Sequence, residues 1–331
     1  MATYKDIQRL TGLSLSTISK YFNDLPVREA NRRAIEEAAE SLGFRRNAFA
    51  RGLRTKRSSV VGVLLPELDN AFHMSIIAGV ESALRADGVG ILVRAAHDDL
   101  VSGIRDLREQ MVDGVIAVPA ESPSPDALAA AVGDVPLVLV DRRLDGVVAD
   151  TVTIDNEAAG ARAAECLMAF GHRRAAVLVG PATIWTMAGR AKGFIDAFDA
   201  AGDVTVMTAP ALTVAAGHSA MAQALATRQR PTAVFCANYE LTLGALTAIT
   251  NAGLSIPRDI SFVGFDGGDL AEVTKPRLWT MVQPVEQLAA ATSELMLSRL
   301  SAGAGEARDV VLQASMLPGD SVSPPAVSAV E

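Results

Sequence analysis

Residues 3–22 read TYKDIQRLTGLSLSTISKYF, and this stretch decides how the amino-terminal part of the chain folds. Thr3, followed three residues later by an acidic residue, is a variant of the capping box that begins a helix. Gly12 permits the left-handed conformation of a tight turn. Ser14 can then cap a second helix that extends to Phe22. The stretch predicts two short helices joined by a glycine-containing turn.

A third helix is predicted over residues 29–42, where apolar residues recur at helical spacing and Gly43 follows the last of them. Two short helices with a tight turn, followed by a third, are typical of a helix-turn-helix, and a generic three-helix bundle is the alternative. The second helix opens with small and polar side chains, as an end that approaches base edges in the major groove requires. Its predicted inner face is Ile18, Tyr21 and Phe22, and its outer face is Leu15, Ser16, Ser19 and Lys20.

Net charge divides the chain into two parts. The first 57 residues hold 12 Lys and Arg against 6 Asp and Glu, a net +6, and the remainder holds 18 against 32, a net −14, which together make −8. A basic end on an acidic body is expected where that end meets a polyanion, although a solvated charged surface gives the same count.

Residues 45–57 contain six basic side chains. Asn47 can cap a short helix over residues 48–53, and this helix is too short to be stable alone in water.

From Ser59 onward, short runs of Val, Ile and Leu alternate with helical patterns. Continuous apolar strands separated by helices predict parallel sheets that are covered on both faces. The pattern repeats in two series of similar length, which predicts two doubly wound lobes with a cleft between them. The predicted fold class is therefore α/β: a small all-α head followed by two doubly wound parallel-sheet subdomains.

Polar side chains follow many of the predicted buried strands. Such side chains are costly to bury unless they pair or bind a ligand, and ligands of doubly wound sheets bind beyond the carboxyl ends of the strands. Carboxylates that accept and Arg and Asn side chains that donate suit a polyol, while aromatic faces suit a sugar ring. The candidates are Asp69, Asn70, Phe72, Asp141, Arg142, Trp185, Arg190, Asn238, Asp266 and Gln283.

Some of these assignments have a structural alternative. Asp141 can cap a turn, Arg143 competes with Arg142 for one role, and Trp185 fits the surface as well as a cleft wall. Asp155 and Asn156 are interpreted as caps of the helix that follows them, and are left out of the predicted site.

Several classes of protein are disfavoured by what the sequence lacks. Cys166 and Cys236 are too few for a disulfide framework and have no metal-type spacing. The start resembles no signal peptide, and no uncharged apolar run reaches about 18 residues. Motifs of nucleotide-binding enzymes, zinc proteases and serine hydrolases are missing. We therefore expect a cytosolic protein that is not an enzyme, with no cofactor, no metal and no membrane partner.

Motifs along the whole chain point to one family. In the head they are Tyr4-Lys5-Asp6-Ile7, Thr11-Gly12-Leu13-Ser14, Ser16-Thr17-Ile18-Ser19-Lys20, Phe22-Asn23, Leu42-Gly43-Phe44, Asn47-Ala48 and Ala50-Arg51-Gly52-Leu53, and in the body Asp141-Arg142, Ile154-Asp155-Asn156-Glu157, Gly189-Arg190, Cys236-Ala237-Asn238, Phe265-Asp266 and Gln283-Pro284. With these motifs the chain resembles the LacI/GalR family of bacterial transcription regulators. Its body resembles the sugar-binding core that this family shares with the periplasmic ribose-binding proteins.

The resemblance implies which residues contact DNA and how the chain is divided. The implied DNA-binding residues are Leu15, Ser16, Thr17, Ser19, Lys20, Asn23, Asn47, Ala50 and Leu53. Leu53 would wedge between base pairs in the minor groove, and a flexible basic linker is the alternative for its segment. Arg28 stands where the family usually has a capping Ser or Thr.

The resemblance also implies three divisions of the chain: a DNA-binding domain over 1–45, a hinge over 46–58, and an effector-binding and dimerisation domain over 59–331. The last of these would consist of two subdomains. One covers about 59–155 and 284–312, and the other covers about 156–283 and 313–321.

By the same resemblance, we expect a homodimeric repressor, with a tetramer left open, that binds double-stranded operator DNA. A small sugar-like effector would bind between the lobes, with Arg190, Asn238 and Asp266 as its firmest contacts. The protein would be cytoplasmic, and associated with the nucleoid when it is on DNA. One alternative is a purine-responsive regulator of the same architecture. The other is a solute-binding receptor without DNA function, although such a receptor would need an export signal and would have no use for the basic head.

Overall fold

The computed structural model describes residues 2–22, 25–44, 57–96, 99–120, 122–199, 202–227, 230–303 and 305–325. The chain forms two compact units, Met1–Ser58 and Ser59–Glu331, which we call the head and the body. No helix in these ranges is long and apolar enough to cross a membrane. The expected Asn23, Asn47, Ala50 and Leu53, and all of the expected hinge apart from residues 57–58, lie outside the described residues.

Three helices make up the described part of the head: α1 (Tyr4–Thr11), α2 (Leu15–Phe22) and α3 (Glu29–Ser41). The Asp6 carboxylate accepts hydrogen bonds from the backbone N–H and the hydroxyl of Thr3, at 2.9 and 2.8 Å. Gly12 ends α1 in the left-handed conformation, with φ of 70°. The Ser14 hydroxyl accepts from the backbone N–H of Thr17 at 3.2 Å, so it caps α2 as predicted.

The head buries one apolar residue of each helix completely: Ile7, Ile18 and Ile35. Phe22 stacks on Tyr4 with ring centroids 5.2 Å apart. The predicted inner face of α2 is therefore correct for Ile18 and Phe22. Tyr21 is only half-buried, because its hydroxyl reaches the edge of the core and donates to Glu36 at 2.9 Å.

In its described residues, the body has two sheets of six strands each. The first sheet has the order β11-β5-β4-β3-β1-β2 and is parallel throughout. Its strands are β1 (Val60–Leu65), β2 (Gly90–Ala95), β3 (Gly114–Ala117), β4 (Leu137–Val140), β5 (Asp150–Ile154) and β11 (Asp309–Leu312). The helices connecting them are α4 (Ala71–Ala86), α5 (Leu100–Glu109) and α6 (Pro125–Val132).

The second sheet has the order β12-β10-β9-β8-β6-β7, and all its pairs are parallel except β12 with β10. Its strands are β6 (Arg174–Val179), β7 (Asp203–Thr208), β8 (Ala233–Cys236), β9 (Ser261–Phe265), β10 (Trp279–Val282) and β12 (Ser315–Leu317). The remaining helices of the body are α7 (Asn156–Ala169), α8 (Trp185–Asp199), α9 (Val214–Leu225), α10 (Tyr239–Asn251), α11 (Gly268–Val273) and α12 (Val285–Ala302). The predicted α/β fold class, with a helical head and two mostly parallel sheets, is confirmed.

The end of the chain joins the two lobes. After β10 in the second sheet, α12 packs against α4, where a Cβ added to Gly79 would lie 2.7 Å from the Cβ of Ala289. Strand β11 then adds to the first sheet and β12 to the second. Arg299 near the end of α12 makes a two-point ion pair with buried Asp150 of β5, with both N–O distances 2.7 Å. This bond fixes α12 on the first lobe.

Candidate functional site

The outer side of α2 is the candidate DNA-contacting surface of the head. Leu15, Ser16 and Lys20 are exposed, and Thr17 and Ser19 are half-buried. Ser14 links this surface to the start of the helix through hydroxyl contacts to Ser16 and Thr17 at 2.8 and 2.9 Å. These residues therefore form one polar face with an apolar corner at Leu15, which is 39% exposed.

The start of α3 departs from the usual cap, as the sequence indicated. Arg28 occupies the cap position with extended backbone and makes no side-chain capping bond. Glu29 in the first turn lies 3.8 Å from Arg32 and 3.3 Å from Arg33. An acidic residue at a helix N-terminus is favourable, so Glu29 partly replaces the missing cap.

Asp141 is the centre of the polar cluster on the first lobe. It directly follows β4 with φ of 67°, a left-handed conformation that Asp tolerates better than most residues. Its Oδ2 lies 3.6 Å from His73 Nε2 and 3.4 Å from Arg142 Nε. Burial by itself raises the pKa of this carboxyl, but His73, Arg142 and Arg190 outweigh burial and lower it. Asp141 is therefore an ionised acceptor.

The competition between Arg142 and Arg143 is resolved by geometry. Arg142 lies beside Asp141 and donates from Nη1 to the carbonyl of Pro119 at 3.0 Å. Arg143 instead pairs with Asp309, at 3.3 Å, on the edge strand β11. Only Arg142 belongs to the cluster around Asp141.

Arg190 on α8 is the buried cation of the second lobe, with 3% of its surface exposed. Its Nε donates to Asn156 Oδ1 at 2.8 Å and its Nη1 to the carbonyl of Ala237 at 2.7 Å. Its guanidinium lies 3.6 Å from the ring centroid of Phe265, a cation–π contact. Burial lowers the pKa of Arg190 to about 10, against the opposing effect of Asp266 and Asp141, so it stays charged at neutral pH.

The interpretation of Asn156 as a helix cap is wrong. The Asp155 carboxylate accepts from the Ala158 N–H at 2.9 Å and caps α7 alone. Asn156 is buried, donates to the carbonyl of Ile154 at 3.2 Å and holds Arg190 with its own oxygen. Two adjacent polar residues at the start of a helix look equivalent in the sequence. Only the direction of each side chain shows that Asp155 caps the helix and that Asn156 contacts Arg190.

Asp266 directly follows β9 and, like Asp141, has a left-handed backbone, with φ of 61°. Gln283 donates to both of its carboxylate oxygens, at 3.2 and 2.9 Å. Burial, assisted by Asp141 and Glu240, raises the pKa of Asp266 to about 6 although Arg190 and Gln283 oppose this. The two aspartates of the cluster thus differ in environment: Asp141 is the better stabilised anion.

Glu240, in the first turn of α10, was missed by the sequence analysis. Asn70 of the first lobe donates from Nδ2 to its Oε1 at 3.5 Å, which joins the two lobes. Asn70 also caps α4 through His73 N–H at 3.1 Å, and Asn238 caps α10 through Leu241 N–H at 3.1 Å. Both Asn side chains therefore cap helices, and their contact with an effector stays a prediction.

The aromatic candidates and Asp69 are placed differently. Trp185 is the first residue of α8 and Phe72 the second of α4, and both are half-buried. Asp69 is exposed, and no hydrogen bond or ion pair from the described residues reaches it. The polar cluster thus consists of Asn70, His73, Asp141, Arg142, Asn156, Arg190, Asn238, Glu240, Asp266 and Gln283.

This cluster can bind a ligand rich in hydroxyl groups, because it offers carboxylate acceptors, guanidinium donors and amides that do both. It draws on both sheets, as expected for a ligand site between doubly wound lobes. Among the residues that the structure describes, no three His, Cys, Asp or Glu side chains are grouped in a way that could hold a metal ion.

Comparison with known proteins agrees with this architecture. Residues 58–317 match the family model described as periplasmic binding proteins and sugar binding domain of the LacI family. The chain is 30% identical to the HTH-type transcriptional repressor PurR of Erwinia tasmaniensis, over 98% of this chain and 97% of that protein. It resembles a Lac repressor dimer bound to operator and the anti-inducer ONPF, with a TM-score of 0.88 at 24% identity, covering 97% and 99% of the two chains. It is also similar to the regulator CelR in complex with cellobiose, with a TM-score of 0.71 at 26% identity, covering 97% and 100%. The chain belongs to the LacI/GalR family of transcription regulators.

Proposed function

We propose that this protein is a homodimeric transcription repressor whose binding to operator DNA is controlled by a small molecule held between the two lobes of its body. The observation that carries the proposal is the combination, in one chain, of a helix-turn-helix head and a buried polar cluster that draws on both sheets. Its relatives are transcription regulators, and a repressor of this kind needs no catalysis. The proposed location is the cytoplasm, on the nucleoid when DNA is bound.

The polar face of α2 supports the DNA-binding part of the proposal. Lys20 reaches a phosphate, Ser16 a base edge, and Leu15 fits a thymine methyl better than a guanine. The net charge of +6 over the first 57 residues supplies attraction to the duplex, so affinity should fall steeply with salt. In a two-fold dimer, two heads read the two halves of a near-palindromic operator. Leu53, which lies outside the described residues, would act as the minor-groove wedge.

The sugar-like nature of the effector is supported by the donors and acceptors of the cluster and by the half-buried rings of Phe72 and Trp185, which can cover the apolar faces of a sugar. The relative CelR was solved with cellobiose. A flat purine would use the same rings, and it remains the second candidate class.

Control of DNA binding follows from the two-lobed site. A ligand that contacts Asp141 on one lobe and Arg190 and Asp266 on the other favours the lobe arrangement that fits it best. A coupling of about 1–3 kcal/mol would change operator affinity by roughly 5- to 150-fold. Analytical ultracentrifugation would show whether two dimers associate into a tetramer.

The test starts with the full chain, which is used to select duplexes from a random pool by gel retardation. A melting screen against sugars and nucleobases then identifies compounds that stabilise the protein, since a ligand that binds only the folded state raises its melting temperature. We expect a stabilising compound to change the affinity for the selected duplex. Failure to retain any duplex would overturn the proposal, as would turnover of the bound compound.

A further inference from the structure

Two buried acceptor atoms in the cluster, Glu240 Oε2 and His73 Nδ1, have no hydrogen-bond partner among the described residues, and neither does the buried donor Arg142 Nε beside Asp141. His73 is 4% exposed, and its Nε2 faces Asp141 Oδ2 at 3.6 Å. In a neutral imidazole that neighbour favours the proton on Nε2, which leaves Nδ1 as an acceptor. A buried acceptor without a donor destabilises the folded protein, and more so when it is charged.

The two atoms belong to one connected set of side chains. Asn70 accepts from the backbone N–H of His73 and donates to Glu240 Oε1, and His73 in turn faces Asp141. Asp266 interacts electrostatically with both Asp141 and Glu240. The unpaired acceptors therefore lie along the junction of the two lobes, one on each lobe.

The basic groups of this set are unevenly distributed among its acids. Three carboxylates, Asp141, Glu240 and Asp266, face two guanidiniums, Arg142 and Arg190, and the His73 imidazole lies beside Asp141. Arg142 is beside Asp141, and Arg190 is attracted to Asp266 and Asp141. Glu240 is the acid left without a cation, and its one described hydrogen bond, from the Asn70 amide, is 3.5 Å long.

Helix capping does not explain why Glu240 is placed there. A carboxylate in the first turn is favourable, but Asn238 already caps α10. Glu286 occupies the same second position of α12 and is exposed, whereas Glu240 is half-buried with its Oε2 away from solvent, so this helix position does not by itself require the placement of Glu240.

We propose that Glu240 selects an effector that carries a protonated amino group next to its hydroxyls, as an amino sugar does. This inference rests on the proposed function and names the class of its ligand. An ammonium group donates three hydrogen bonds and accepts none, so one such group can pair with more than one of the unpaired acceptors. A hydroxyl has a single donor and can pair with only one of them. It also places a positive charge beside Glu240, the one carboxylate of the set with no cation next to it among the described residues, whereas the dianion of a phosphate ester would be repelled there.

The test compares three ligand forms on the full-length protein by calorimetry, at a pH below the pKa of the amine. The probes are D-glucosamine, D-galactosamine and D-mannosamine, each beside its parent hexose and the 6-phosphate of that hexose. We expect at least one amino sugar to bind about 10- to 100-fold more tightly than its parent, as for a hydrogen bond to a charged group, and the phosphates to bind least. If no amino sugar binds more tightly than its parent hexose, the inference is wrong.

Variants then assign the preference to one residue. Glu240→Gln should bind the amino sugar and its parent about equally, while Glu240→Asp keeps part of the preference and the matched control Glu286→Gln keeps all of it. A preference that survives in Glu240→Gln overturns the assignment, and the wild-type comparison stands whether or not that variant folds. Retardation of the selected duplex is measured on the same samples. If duplex binding and a response to neutral sugars persist, only this inference fails; if no duplex is retained, the proposed function fails as well.

Discussion

Replacing Asp266 with Asn should remove a pH dependence from the stability of the body. The pKa of this carboxyl is raised from 3.8 to about 6 in the folded protein, so the folded state binds the proton more tightly than the unfolded chain does. The resulting stabilisation is present below about pH 6 and is lost as the pH rises through this value. Applied to these two pKa values, linkage gives a body that is about 1 kcal/mol more stable at pH 5 than at pH 7 through this group alone.

Tryptophan fluorescence measures this effect in the body alone. The chain has two Trp residues, Trp185 and Trp279, and both lie in the body, so urea unfolding followed by their emission does not report on the head. Other groups also respond to pH, and burial, for example, lowers the pKa of His172. Their effects are common to both proteins and cancel in the difference between wild type and Asp266→Asn.

We expect the difference in unfolding free energy between about pH 5 and pH 7 to shrink by about 1 kcal/mol in Asp266→Asn. The exposed neighbour Asp269 serves as the matched control, and Asp269→Asn should keep the wild-type difference. If Asp266→Asn retains the full wild-type pH dependence, burial does not raise the pKa of this carboxyl in the folded protein.

Further substitutions test the ligand site, the lobe junction and the DNA contacts. Arg190→Lys should abolish the rise in melting temperature with effector while retardation of the selected duplex persists, because a single ammonium nitrogen cannot replace the planar guanidinium that donates from Nε to Asn156 and from Nη1 to the Ala237 carbonyl. An unchanged rise would remove Arg190 from the site. Arg299→Ala should lower the urea unfolding free energy by about 3–5 kcal/mol, since it leaves the buried Asp150 carboxylate unpaired, and a loss below 1 kcal/mol would refute this. Leu53→Ala should weaken binding to the selected duplex more than to random DNA in a titration, and equal losses would rule out a wedge. Lys20→Ala should weaken both about equally and reduce the salt slope by about 1, whereas an unchanged slope would argue against a phosphate contact.

The architecture could be predicted because the strands are short and alternate regularly with segments of helical period. The apolar runs at β1 and β6 are buried on both faces, and their length, together with the helical segments that follow them, indicates parallel strands. The head was predicted from caps and a turn, which are local signals. Strand β12 and helix α11 were not predicted, because three and six residues are too few to establish a period.

The cluster was predicted only in part, for a different reason. Asp141 and Asp266 were found because they directly follow buried strands, and this placement follows from chain order. Glu240 and Asn156 each lie in the first turn of a helix, where an acid or an amide usually serves the helix itself. Their other contacts, to Asn70 and Arg190, join residues 170 and 34 positions apart, and nothing local in the sequence indicates them.

The most direct measurement is the dissociation constant of the full-length protein for its selected duplex, determined by fluorescence anisotropy with and without a compound that raises the melting temperature of the body. We predict a change of roughly 5- to 150-fold in wild type and none in Arg190→Lys, with equal binding of the two proteins to the duplex in the absence of the compound. A compound that occupies the cleft at saturation and leaves the dissociation constant of the wild type unchanged would contradict control of the DNA-binding head by the two-lobed body.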